Sequence, residues 1–132
     1  MKNILSKIFH FPSVTIPQKV QSSFSQKFGE SLNIEWLKTE DFYEAIFYLE
    51  DIEHISRFDS SGELINLKKN LPIQSTPQHI KGKAAAHGEL MNVIEISEEE
   101  VVGYELIVRD DGLIRFSLLL NEKGGLLHKS KL

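Results

Sequence analysis

Apolar residues in this chain recur at two spacings, and the changes between them mark its elements. In residues 2–11, Ile4, Leu5, Ile8 and Phe9 fall on one side of a helical wheel, with Lys2, Ser6, Lys7 and His10 opposite. That pattern predicts a short amphipathic helix. Pro12 and Pro17 then bracket a linker. Val20, Phe24 and Phe28 recur every four residues, which predicts a helix from Pro17, where a missing N–H costs nothing, to Gly29. Alternation takes over at Ile34–Lys38, Phe42–Leu49 and Ile52–Phe58, which predicts strands. Asp59-Ser60-Ser61-Gly62 reads as a turn, and Glu63–Leu67 as a short strand.

The series then restarts. Leu71-Pro72 to Thr76-Pro77 forms a second linker, and a second helix is expected from Pro77 to about His87. Strands follow at Met91–Ile96, Val101–Arg109 and Leu113–Leu120, with Leu126–His128 as an edge. Asp111-Gly112 reads as a tight hairpin turn, and Gly124-Gly125 ends the strand before the edge. Aligned prolines (Pro17, Pro77) stand 60 apart, the Tyr-Glu pairs (Tyr43-Glu44, Tyr104-Glu105) 61 apart and the turn glycines (Gly62, Gly124) 62 apart. So small a drift means single-residue insertions in one duplicated unit.

At 132 residues the chain suits one domain. A repeat of about 55–60 residues is marginal alone, so the two are expected to share a core. The fold class expected is α+β: two tandem helix-plus-antiparallel-strand repeats forming one two-layer domain, with the helices on one face of a curved antiparallel sheet. The division expected is an N-terminal amphipathic segment over 1–15 and a single domain over 16–132, with repeats 16–70 and 71–132. In the second helix Ala84 replaces Phe24, and Gly88 replaces Phe28. Small residues there bring helix and sheet closer, or leave a groove for a small ligand.

Charge and composition narrow the partners. The net charge of -4 and pI near 5.7 argue against nucleic acid. The chain has no cysteine, which removes disulfides, thiolate metal sites and a cysteine nucleophile. No stretch reaches the roughly 20 apolar residues of a membrane span. Residues 2–11 make a poor secretory signal, which points to the cytoplasm if residue 1 is the natural initiator. About ten residues bind a bilayer weakly, so this segment is expected to dock or fray, with membrane contact as the alternative. His128-Lys129-Ser130-Lys131 reads as a solvated basic end.

Little in the sequence suggests catalysis. His10, His54, His79, His87 and His128 are scattered, and a metal site from His79 and His87 wants a third ligand. Glu98-Glu99-Glu100 reads as a solvated hairpin tip. Asp59-Ser60-Ser61-Gly62 lacks the alternating ligands of a calcium loop. No phosphate loop or hydrolase motif is present. The expectation is therefore a chain with no enzyme activity, no cofactor and no metal.

The strand faces are more informative. One face of Phe42–Leu49 carries Tyr43, Ala45, Phe47 and Leu49, aligned with Tyr104, Leu106 and Val108, and is expected beneath the helices. The other carries Phe42, Glu44, Ile46 and Tyr48, aligned with Gly103, Glu105, Ile107 and Arg109. A solvated face should be mostly polar, and this one is not. Either it binds a protein, a peptide or a second copy, or the N-terminal helix or sheet twist covers it. On the first alternative Phe42, Ile46, Tyr48 and Ile107 supply apolar contact, and Glu44, Glu105 and Arg109 set register.

Taken in order, Pro17, Val20, Phe24 and Phe28; Ile34-Glu35-Trp36; Tyr43-Glu44-Ala45 with Phe47; and Phe58-Asp59, Gly62 and Leu64 form a series. Pro77, Ile80, Tyr104, Glu105 and Gly124 repeat part of it. The series resembles the PepSY-like, β-lactamase-inhibitor-like (BLIP-like) family of small bacterial proteins over residues 16–128. That resemblance implies duplicated helix-plus-sheet units and a non-enzymatic role in binding or inhibiting a protein or peptide. It also implies export, often in bacteria of the Bacteroidetes group, and supplies no catalytic residue.

Overall fold

The computed structural model describes residues 15–29, 31 and 33–132. The N-terminal helix expected over 2–11 and the Pro12 linker lie outside them. The fold is α+β, with two α-helices, one 3₁₀ turn and eight strands among the described residues. The chain divides into two compact units between Leu67 and Lys68.

In the first unit, α1 (Gln18–Phe28) precedes β1 (Glu35–Lys38), β2 (Phe42–Leu49) and β3 (Ile52–Asp59). The three strands pair in that order, each antiparallel to the next. Val20 and Phe24 point one stripe of α1 into a cluster with Ala45, Phe47 and Phe58, all buried. Phe24 is its centre, with ring centroids 4.8 Å from Phe47, 5.3 Å from Phe28 and 5.5 Å from Trp36. Gly29 closes the helix at φ 74°, where its N–H bonds to the Ser25 carbonyl. Phe47 also stacks on buried His54, whose Nδ1 donates to the Ile52 carbonyl at 2.8 Å.

Strand β4 (Leu64–Leu71) carries the chain onward and is longer than the Glu63–Leu67 segment expected. In the second unit a 3₁₀ turn (Ile73–Ser75) leads to α2 (Gln78–Ala85). Then come β5 (Glu89–Glu98), β6 (Val101–Arg109), β7 (Arg115–Asn121) and β8 (Leu126–Lys131), each antiparallel to its neighbour. Ile80 and Ala84 of α2 pack with Val93, Tyr104, Leu106, Val108, Leu118 and Leu120. Burial raises the Tyr104 phenol above its ordinary value, and the charges of Glu95 and Glu122 push it the same way.

Five points correct or refine the sequence reading. First, each unit has its own cluster of buried side chains, aromatic in the first and aliphatic in the second. Dense aromatic packing lets so small a unit fill its own interior. Second, α2 stops at Ala85, leaving His87 outside it, and Gly88 turns the chain at φ 151°. Third, a side chain at Gly88 would collide with the Arg109 carbonyl, and Ala84 is fully buried. The small residues thus bring helix end and strand together, where a ligand groove had been the alternative.

Fourth, β7 begins at Arg115, because Leu113 occupies a turn position at φ 64°. Asp110 anchors that turn, and its Oδ1 accepts from the N–H groups of Gly112 and Ile114, both at 2.9 Å. Asp111-Gly112 does fill the centre of the turn, closed by the Leu113 N–H on the Asp110 carbonyl at 3.0 Å, but Leu113 adds a third loop residue before Ile114 pairs with Asp110. Fifth, the basic C-terminal end is exposed as expected but is not a loose tail. It is strand β8, and Lys129 Nζ sits 4.5 Å from the Phe116 ring centroid.

Candidate functional site

Each unit keeps one strand face away from its helix, and the seven candidate residues divide between those faces. In the first unit Phe42, Glu44, Ile46 and Tyr48 alternate with the inward Tyr43, Ala45, Phe47 and Leu49. Antiparallel register brings Asp59, Arg57, Ile55 and Glu53 of β3 opposite them, in that order. On the other side Leu37 and Glu35 of β1 stand opposite Glu44 and Ile46. The result is an apolar stripe of Leu37, Phe42, Ile46, Ile55 and Tyr48, interleaved with charge. Tyr48 is the most open, at 62 % exposure, and its hydroxyl lies 3.3 Å from Glu53.

Glu44 is held by the neighbouring strand. Its Oε2 accepts from Arg57 Nε at 3.2 Å and Nη2 at 3.1 Å, so the carboxylate is paired within the unit. Arg57 in turn lies 5.1 Å from the Phe42 ring centroid. The trio is a fixed part of the face. Arg109 is likewise engaged, donating to Glu89 at 3.1 Å across β5 and β6. Among the described residues Glu105 has no ion-pair partner.

In the second unit Glu105 stands between Ile94 and Leu119, and Ile107 between Asn92 and Ser117. Gly103 stands between Ile96 and Asn121 on the same face. Because Gly103 has no side chain, the face sinks there into a hollow of about 240 Å³, bordered by Ile96, Val101, Leu119 and Leu127. Val101 is 71 % exposed and Leu127 62 %. The sequence reading missed Leu37 and Ile55 in the first unit and this hollow in the second. A glycine within a strand was the available signal, since it marks close approach of another group.

The remaining polar side chains serve local structure. Asp59 Oδ1 accepts from the Ser61 hydroxyl at 2.6 Å and from the N–H groups of Ser61 and Glu63 at 2.9 and 3.1 Å. Led by the Ser61 hydroxyl, these bonds hold its carboxyl below the ordinary value. Asn121 accepts in the same way from the N–H groups of Lys123 and Gly125. His79 bonds to the Glu122 carbonyl at 2.9 Å and His87 to Lys129 at 3.2 Å. Among the described residues no three His, Asp or Glu side chains are grouped as metal ligands, and no helix is long and apolar enough to cross a membrane.

No family model and no curated protein sequence matches the chain. Solved structures do match its fold. A DUF2874 family protein from Bacteroides ovatus superposes with a TM-score of 0.80 at 18 % identity, over 90 % of this chain and 89 % of the other. A BLIP-like protein from Bacteroides fragilis gives 0.76 at 17 % identity, over 91 % and 89 %. A candidate periplasmic protein from Bacteroides eggerthii gives 0.76 at 17 % identity, over 89 % and 90 %. At these identities the likeness is one of fold.

Proposed function

We propose that this protein is a non-catalytic binding module that takes a protein or peptide on the strand faces turned away from its helices. One observation carries the reading: large apolar side chains stay open there, with Tyr48 at 62 % and Leu37 at 41 % exposure in the first unit. Aromatic and aliphatic groups set among fixed charges have the makeup of an interface core with a polar rim. An inhibitor-like role is the finer form of this reading, favoured by the BLIP-like neighbour.

We also read the two units as copies of one ancestral unit of PepSY-like type. Val20 and Ile80, Ala45 and Leu106, and Phe47 and Val108 are buried at aligned positions. Asp59 and Asn121 close aligned hairpins with the same side-chain turn. The candidate periplasmic neighbour favours an exported setting, which fractionation of cells expressing the natural gene decides.

The test is selection of a phage-displayed random peptide library on the folded chain, followed by light scattering for self-association. Binders should lose affinity on Tyr48→Ala or Ile107→Ala, with unfolding midpoints unchanged. Binding indifferent to both substitutions and to every other change on these faces, in a chain that stays monomeric, would move the site off them.

A further inference from the structure

The hollow at Gly103 has the properties of an anchor pocket. Its volume of about 240 Å³ falls below the roughly 300–1,000 Å³ of typical small-molecule sites. Its lip is open, because Val101 and Leu127 stand exposed at its border. A shallow, open, apolar hollow on a sheet face suits one large side chain presented from another chain.

Charge defines what accompanies that side chain. Glu98 lines the hollow, and Glu99 and Glu100 form the exposed turn that follows it. Glu105 lies two residues beyond Gly103 on the same strand and face, half-buried. Opposite, the β7–β8 turn adds Glu122 and Lys123, which offset each other. His128 stands in register with Leu119. One carboxylate, Glu98, thus lines the hollow, and three more lie on the adjoining turn and strand. The acid run would be a solvated tip by itself, but here it adjoins a cavity lined by Ile96, Val101, Leu119 and Leu127.

We infer that this hollow anchors a partner segment in which a large apolar side chain, aliphatic or aromatic, sits beside lysine or arginine. The apolar group fills the space above Gly103, and its cationic neighbour meets Glu98 and the Glu99-Glu100 turn. This inference rests on the binding-module reading and names one anchor within it. An acidic segment is excluded by repulsion, which makes the charge a selectivity device as well as an attraction.

The probe is again the random peptide library on phage, selected on the full chain. Enriched peptides should pair a large apolar residue with adjacent lysine or arginine. Their affinity should fall by about tenfold or more on Gly103→Val, which fills the hollow, and on Leu127→Ser, which removes its lip. A side chain at Gly103 comes 3.1 Å from the Leu120 carbonyl oxygen, so Gly103→Val can disturb the strand. Leu127, at 62 % exposure, is the control that leaves folding alone. Glu98→Lys should turn the selection against basic peptides, and added salt should weaken binding to the native chain.

Peptides that depend on Tyr48 or Ile107 but ignore Leu127→Ser and Glu98→Lys would overturn the anchor and leave the binding-module reading standing. Binders indifferent to all four positions, or no binders at all, would overturn both.

Discussion

Arg57 holds Glu44 through two donors on one carboxylate oxygen, at 3.2 and 3.1 Å, while its guanidinium covers the Phe42 ring. The Glu44 side chain keeps 17 % of its exposure and the Arg57 side chain 32 %. Arg57→Ala therefore leaves a mostly enclosed carboxylate without its partner and uncovers Phe42. The expected loss is about 1–3 kcal/mol, above the ~0–1 kcal/mol of an open surface pair. Urea unfolding measures it, and Glu44→Gln in the same background should recover part of it. A loss below about 0.5 kcal/mol would make this an ordinary screened pair.

Asp59 should give the first hairpin turn a dependence on acid. Its bonds to Ser61 and Glu63 favour the charged carboxylate and lower its folded pKa from 3.8. A lowered pKa contributes stability above the unfolded value, and the contribution disappears as pH falls through the folded value. Asn121 makes the same turn with a neutral amide oxygen, so Asp59→Asn should keep the hairpin. The native chain should be the more stable near neutral pH, and the gap should close below pH 3.8. Unfolding midpoints taken down that range test the point, and parallel curves for the two proteins would refute it.

Leu113 occupies the left-handed region at φ 64° while 71 % exposed, so it bears backbone strain and returns little packing. In the turns opened by Asp59 and Asn121 the same position is held by Gly62 and Gly124, at φ 91° and 92°, without such strain. Leu113→Gly should stabilise the chain by about 0.5–1 kcal/mol, since the left-handed penalty of ~1–2 kcal/mol is partly offset by glycine's greater unfolded freedom. Thermal unfolding should show a midpoint a few degrees higher. A lower midpoint would mean that Leu113 makes a contact worth more than its strain.

The sequence was legible where a side chain's period fixes its direction. The Val20–Phe24–Phe28 stripe, the inward set of β2 and the bounds of Phe42–Leu49 and Val101–Arg109 all follow from spacing, and the structure has them there. The turn at Asp111-Gly112 was legible, but Leu113 as its third residue was not, because only the bonds Asp110 makes to Gly112 and Ile114 take Leu113 out of the strand. Strand β8 was legible as the Leu126–His128 edge, but its run to Lys131 was not, because Lys129 and Lys131 look like a solvated end until β7 offers them partners. Of the candidate face, period two correctly grouped Phe42, Glu44, Ile46 and Tyr48. It could not show Arg57 occupying Glu44 or Glu89 occupying Arg109, since each pairing depends on cross-strand register.

Phe24 and Tyr48 should separate stability from binding. Phe24 is 2 % exposed and meets Phe28, Trp36 and Phe47 within 5.5 Å of its ring centroid. Phe24→Ala leaves a cavity at the centre of the first unit and should cost about 3–5 kcal/mol. Tyr48, on the opposite strand face and 62 % exposed, bonds through its hydroxyl to Glu53 at its rim, so Tyr48→Ala should stay within about 0.5 kcal/mol. The single tryptophan, Trp36, packs in the Phe24 cluster, so its fluorescence reports on the first unit directly. The Phe24→Ala chain should lose that signal at much lower urea and lose peptide binding with it. The Tyr48→Ala chain should keep the native midpoint and lose binding alone. A large shift in the Tyr48→Ala midpoint would place the tyrosine among the residues that hold the unit together, and the open face would then lose its principal contact.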